Sequence, residues 1–149
     1  MRYSFSKTLE RLARSERGTA FVEFAVVAPF LVLLLVGLVD FSRYMYDGLL
    51  AANAARAAVQ YGAQNTITAA DSTGIINAAS TDSGGLAGLS ATPNIFCEAN
   101  GVATSCSTAG AVYYVQVVTS GTFTPLVKYP GLPANVTVSA RAVMRVASQ

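Results

Sequence analysis

Arg17-Gly18-Thr19-Ala20-Phe21-Val22-Glu23-Phe24 is the junction on which this chain turns, because an uncharged run follows it from Phe24 to Val39: Phe-Ala-Val-Val-Ala-Pro-Phe-Leu-Val-Leu-Leu-Leu-Val-Gly-Leu-Val. Thr19 to Val39 is 21 residues. As a helix at 1.5 Å per residue that is about 31 Å, enough to cross the hydrocarbon core of a bilayer. Asp40 and Arg43 end the run. Ahead of it, residues 1–18 carry Arg2, Lys7, Arg11, Arg14 and Arg17 against Glu10 and Glu16, a net +3. Residues 19–149 carry five basic and six acidic side chains, a net −1. The whole-chain value of +2 therefore hides a basic leader on a nearly neutral body. The positive-inside rule puts residues 1–18 in the cytoplasm and everything after Asp40 on the far side of the membrane.

Composition narrows the chemistry. With 149 residues, 52% of them apolar and only 12% charged, the chain has room for one modest domain and one membrane segment. The usual charged share of a globular protein is about 25%. There is no histidine, which removes Ser-His and Cys-His nucleophiles and His-ligated metals. Two cysteines are too few for a structural zinc. No Ser-Lys or paired-Asp spacing stands out, so we read no catalytic residue, no cofactor and no small-molecule substrate. Lys128, Arg141 and Arg145 form no run, which argues against a nucleic-acid groove. Gly84-Gly85 lacks the lysine and following helix of a phosphate loop.

Glu23 is the exception inside the apolar stretch. A charged acid at the centre of a membrane helix costs about 2.5–3.5 kcal/mol on insertion scales, and less near the interface. One reading is an interfacial carboxylate with no task, in an uncleaved signal anchor. A cleaved secretory signal fits less well, because the run outlasts an ordinary h-region and no small-x-small site closes it. The other reading supplies a cation. A cut after Gly18 would expose an α-amine on Thr19, mostly charged at neutral pH given its reference pKa of about 7.7–8.0. Glu23 would then be the fifth residue of the mature chain and would neutralise the Thr19 amine of a neighbouring subunit. Pairing in apolar surroundings fixes register, because leaving either charge unpaired is expensive.

A glycine, four residues and a glutamate ahead of an apolar helix resemble the type IV prepilin processing site. The longer pattern, Arg17 to Pro29, then Leu31–Leu35, then Asp40-Phe41-Ser42-Arg43, resembles the TadE-like family, minor pilins or pseudopilins of the tight-adherence (Tad/Flp) pilus. The Ala- and Arg-rich continuation Ala51–Ala63 is similar to that family too, so the likeness covers about residues 14–63. It implies cutting between Gly18 and Thr19 by a dedicated prepilin peptidase of the membrane, with this chain as substrate and not as enzyme. It implies the bacterial inner membrane as the starting location, membrane lipid, other pilin subunits and an inner-membrane assembly platform as partners, and a role in surface adherence. Thr19 stands where other type IV pilins carry an aromatic residue, which leaves N-terminal methylation open.

The organisation that follows is a leader over 1–18, a transmembrane helix over 19–40, its exported continuation over 41–63 and a small head over 64–149. The fold class is α+β: a long N-terminal helix packed on a small antiparallel sheet, as in type IV pilins. Ala51, Ala54, Ala55 and Ala58 recur at three- and four-residue spacing and make a small-residue face. It suits the protein's own sheet first, and neighbouring subunits second. Gly48 is a soft point in this helix, and Asn53 and Arg56 read as solvated or pairing residues. Asp71–Ala79 reads as a short helix weakened by Gly74, and Thr81–Gly85 as a turn. Ile95-Phe96-Cys97 reads as a strand, Asn100-Gly101 as a hairpin turn, and Cys106 lies on the return. In an exported segment Cys97 and Cys106 favour a disulfide, worth about 2–3 kcal/mol on the chain-entropy account. Ala111–Thr119 is a strand that Thr122–Thr124 would extend, with either Tyr113 or Tyr114 in the core. Lys128–Pro133 is a proline loop. Asn135–Val146 alternates, with Val136, Val138, Ala140, Ala142, Met144 and Val146 facing inward. The competing architecture is an uncleaved single-pass protein with an exported binding head and no filament role.

Overall fold

The computed structural model describes residues 16–128, 131 and 133–147. The leader residues 1–15, and Tyr129, Pro130 and Leu132 of the proline loop, lie outside them. Helix α1 runs unbroken for 47 residues, Glu16–Gly62, with Pro29 inside it. Pro29 offers no N–H to the carbonyl of Ala25, a loss that membrane helices tolerate. Gly48 does not interrupt the helix. By its internal contacts the chain divides into two units, Met1–Val39 and Asp40–Gln149.

In the first unit the apolar side chains are uncovered. Phe21, Phe24, Phe30 and each of Leu31, Val32, Leu33, Leu34 and Leu35 are exposed. Five consecutive residues pass through more than one full turn, so the apolar surface encircles the helix. A helix apolar all round belongs in a membrane or a protein core, and this one is long and apolar enough to cross a bilayer.

The second unit is an α+β layer. After α1 come α2 (Thr66–Ala70) and α3 (Ser72–Thr81), then strands β1 (Ser90–Ala99), β2 (Val102–Thr104), β3 (Val112–Phe123) and β4 (Val136–Arg145). All pairings are antiparallel, in the order β2-β1-β3-β4. The β1–β2 turn is Asn100-Gly101, both with positive φ (53° and 78°), the conformation a two-residue type I′ hairpin requires. The sheet lays one face on α1. Ala51, Ala54, Ala55 and Ala58 are all fully buried. Ala54 and Ala58 pack with Val59, Ile75, Val115 and Val117, and Ala51 packs with Leu86, Phe123 and Val138. Each buried valine contributes about 1.5–3 kcal/mol of transfer free energy, and the alanines let the sheet come close enough to collect it. At the midpoint Thr119 Oγ1 donates to the Ala51 carbonyl at 2.7 Å, so the one hydroxyl buried at that contact is satisfied.

Several local expectations change in detail. β3 takes in the expected extension: it runs twelve residues, Val112–Phe123, straight through Ser120-Gly121. Gly121 makes this possible, because a Cβ there would approach Leu86 Cγ to 2.5 Å. α2 was not anticipated. It is opened by Asn65, whose side chain accepts from the Ile67 and Thr68 amides while Thr68 Oγ1 accepts the Asn65 N–H. The helix expected over 71–79 begins at Ser72, with Asp71 as its cap. Met144 faces the helix side by register with Val115 but is exposed. β4 is an outer strand with a neighbour on one side only, so its inward residues have less cover. Tyr113 is the tyrosine that packs on the core, whereas Tyr114 stacks on Phe96 at 5.3 Å on the opposite face.

Candidate functional site

Gly18, Thr19 and Glu23 all lie on α1 and are exposed. The four-residue step from Thr19 to Glu23 puts both on one helix face, about 6 Å apart along the axis. Phe21, Val22, Phe24 and Val26 are exposed around Glu23. No salt bridge to Glu23 occurs among the described residues, where the single ion pair is Arg43 with Asp40.

Asp40 is a second, quite different carboxylate. It is buried, at 6% exposure. Both of its oxygens accept the Leu126 amide N–H, at 3.0 and 3.1 Å. Arg43, one turn further on, donates to Asp40 Oδ1 at 3.3 Å. The Arg43 guanidinium also lies over the Phe123 ring, 5.5 Å from its centroid, and Tyr44 meets the same ring edge-on at 5.6 Å. The Asp-Phe-Ser-Arg exit of the apolar run is thus a clamp on the loop between β3 and β4. A buried anion needs a partner, and here it has a cation and a backbone donor.

At the other end of α1, Tyr61 donates its hydroxyl to Asp71 Oδ2 at 2.7 Å. Asp71 Oδ1 accepts the Gly74 amide at 2.9 Å, capping α3. The Gly74 N–H, and after it the Tyr61 hydroxyl, hold the Asp71 carboxyl below its ordinary range. Donation to that carboxylate pushes the Tyr61 phenol above its ordinary value. Gly74 is required here for space, since a Cβ would collide with the Asp71 carboxylate and the Tyr61 ring. Cys97 and Cys106 are joined by a disulfide, and the Tyr113 hydroxyl donates to the Cys106 carbonyl at 2.9 Å. Ala147 N–H donates to the Ala63 carbonyl at 2.9 Å, tying the end of β4 to the end of α1.

The residues read from sequence therefore fall into separate groups: Gly18, Thr19 and Glu23 on the bare helix, Cys97 and Cys106 in the hairpin of the head. The Asp40–Leu126 and Tyr61–Asp71 contacts were not anticipated. Asp40 carried a local signal, an acid closing an apolar run, but its partner is 86 residues away. Among the described residues no group of three His, Cys, Asp or Glu side chains converges on one point.

Compared with known proteins, residues 18–60 match the family model described as TadE-like protein. That interval begins at Gly18 and takes in Glu23, the apolar run, Asp40, Arg43 and the buried alanine face. No curated protein and no solved structure matches the chain.

Proposed function

Taking the TadE-like helix as the premise, we propose that this protein is a minor pilin or pseudopilin that takes part in assembling a Tad/Flp-type pilus for surface adherence. It starts as a single-pass protein of the bacterial inner membrane, leader in the cytoplasm and head in the periplasm, and can pass into an extracellular pilus. A prepilin peptidase cuts between Gly18 and Thr19, and other pilin subunits and the membrane assembly platform are its partners. The observation that carries this reading is Glu23, an exposed carboxylate one turn past Thr19, at the start of a helical stretch that is apolar all round. The cut creates the missing cation at Thr19. Because Thr19 and Glu23 share a face, the amine can meet its own Glu23 before assembly and a neighbour's Glu23 afterwards, so partner exchange replaces loss of a partner. The cut also removes five basic side chains. Each contributes about 1 kcal/mol of attraction to an anionic leaflet, so cleavage frees the helix to leave the bilayer.

N-terminal sequencing of membrane-derived protein, from cells that carry the peptidase, tests this directly. A chain beginning at Thr19 is the expected result. A chain beginning at Met1 would instead establish the uncleaved anchor with a binding head.

A further inference from the structure

We propose that the β3–β4 loop at residues 125–128 is a second point of membrane contact, an apolar foot resting in the headgroup region beside the exit of the helix. The proposal rests on the membrane-anchored reading above, and adds to it a lipid-binding surface on the head.

The loop leaves β3 at Phe123 and rejoins the sheet at Val136, which are cross-strand partners. Thr124 Oγ1 donates to Asn135 Oδ1 at 3.1 Å and closes its neck. Beyond the neck the Leu126 amide is held by both oxygens of Asp40. Asp40 directly follows Val39, the last residue of the apolar run. A loop fastened to Asp40 is therefore fastened at the level where the chain leaves the hydrocarbon.

What the loop displays at that level suits lipid. Leu126 is 62% exposed and Val127 is 38% exposed, although the core of the head is near at hand at Phe123. Lys128 follows and is exposed. The charge of the clamp is balanced by Arg43, so residues 126–128 present two apolar side chains followed by a basic one. Two apolar side chains inserted between headgroups and a lysine at the phosphates is the pattern of an interfacial anchor. On the helix, Phe41, the residue after Asp40, is about as exposed as Leu126, at 61%. The consequence of the foot is a second lipid contact for the head, in addition to the helix.

The test uses the full chain in phosphatidylethanolamine–phosphatidylglycerol vesicles. An environment-sensitive fluorophore is placed on Val127→Cys with the native disulfide left oxidised, and quenched by lipids brominated near the headgroup. Ala109→Cys, in an exposed loop of the head, is the control. A blue-shifted, quenched signal at 127 and a water-like signal at 109 are expected. Water-like signals at both sites, from protein that floats with the vesicles, would overturn the foot and leave the anchor standing. Protein that fails to float would overturn the anchor and the foot together. Because the fluorophore is itself apolar, the same label is read with Asp40→Ala. Quenching should fall when the clamp is gone, and undiminished quenching would overturn the placement of the loop by Asp40.

Discussion

Asp71 is held by two donors, the Gly74 amide and the Tyr61 hydroxyl, and its carboxyl is depressed as a result. A carboxyl depressed by folding stabilises the fold at pH above its unfolded value, about 3.9. That stabilisation is lost as the pH falls through the folded value. Asp71→Asn keeps a side chain that caps helices well but removes the charge. Melting curves of the two proteins should therefore differ most at neutral pH, with wild type the more stable, and converge in acid. A constant difference from pH 7 down to pH 2 would mean that shape, not charge, sets the effect. Gly74 belongs to the same unit: read locally it weakens a helix, yet it is the residue that lets Tyr61 and Asp71 meet.

At the scale of elements, the α1 face of Ala51, Ala54, Ala55 and Ala58 determines how closely the sheet can lie. Ala58→Leu should cost about 1–3 kcal/mol by overpacking against Val115 and Val117, measured by chemical denaturation of the chain in detergent. Arg56→Ala, on the exposed side of the same turns, should stay within about 0.5 kcal/mol of wild type. That face was legible because three- and four-residue spacing is a local pattern, and the same holds for the β4 alternation and for the Asn100-Gly101 turn. Where the reading stopped short, the deciding atom lay elsewhere in the chain. The extension of β3 was expected, but not that its Gly121 faces Leu86. The α2 cap is Asn-x-x-Thr, in which Thr68 fills the place usually signalled by Glu or Gln. Met144 follows the alternation, but only the position of β4 at the sheet edge shows how thin its cover is.

For the whole molecule, Glu23 stands out in the sequence because a lone acid in an apolar run is a chemical exception, and the structure leaves it exposed. The clamp was half readable: the acid is visible, its partner is not. Glu23→Ala should leave membrane insertion and the melting of the head unchanged, since Glu23 is exposed and outside the head unit. Incorporation into filaments, counted by immunogold labelling of sheared pili, should fall. Normal incorporation would remove the charge pair from the assembly scheme. The head meanwhile is attached to its stretch of helix at three heights: the Leu126 amide on Asp40, Thr119 on the Ala51 carbonyl, and the Ala147 amide on the Ala63 carbonyl. The attachments lie in parallel along the helix axis, so a pull on the helix against the head loads all of them together as a shear joint. They would have to fail at once rather than peel one by one.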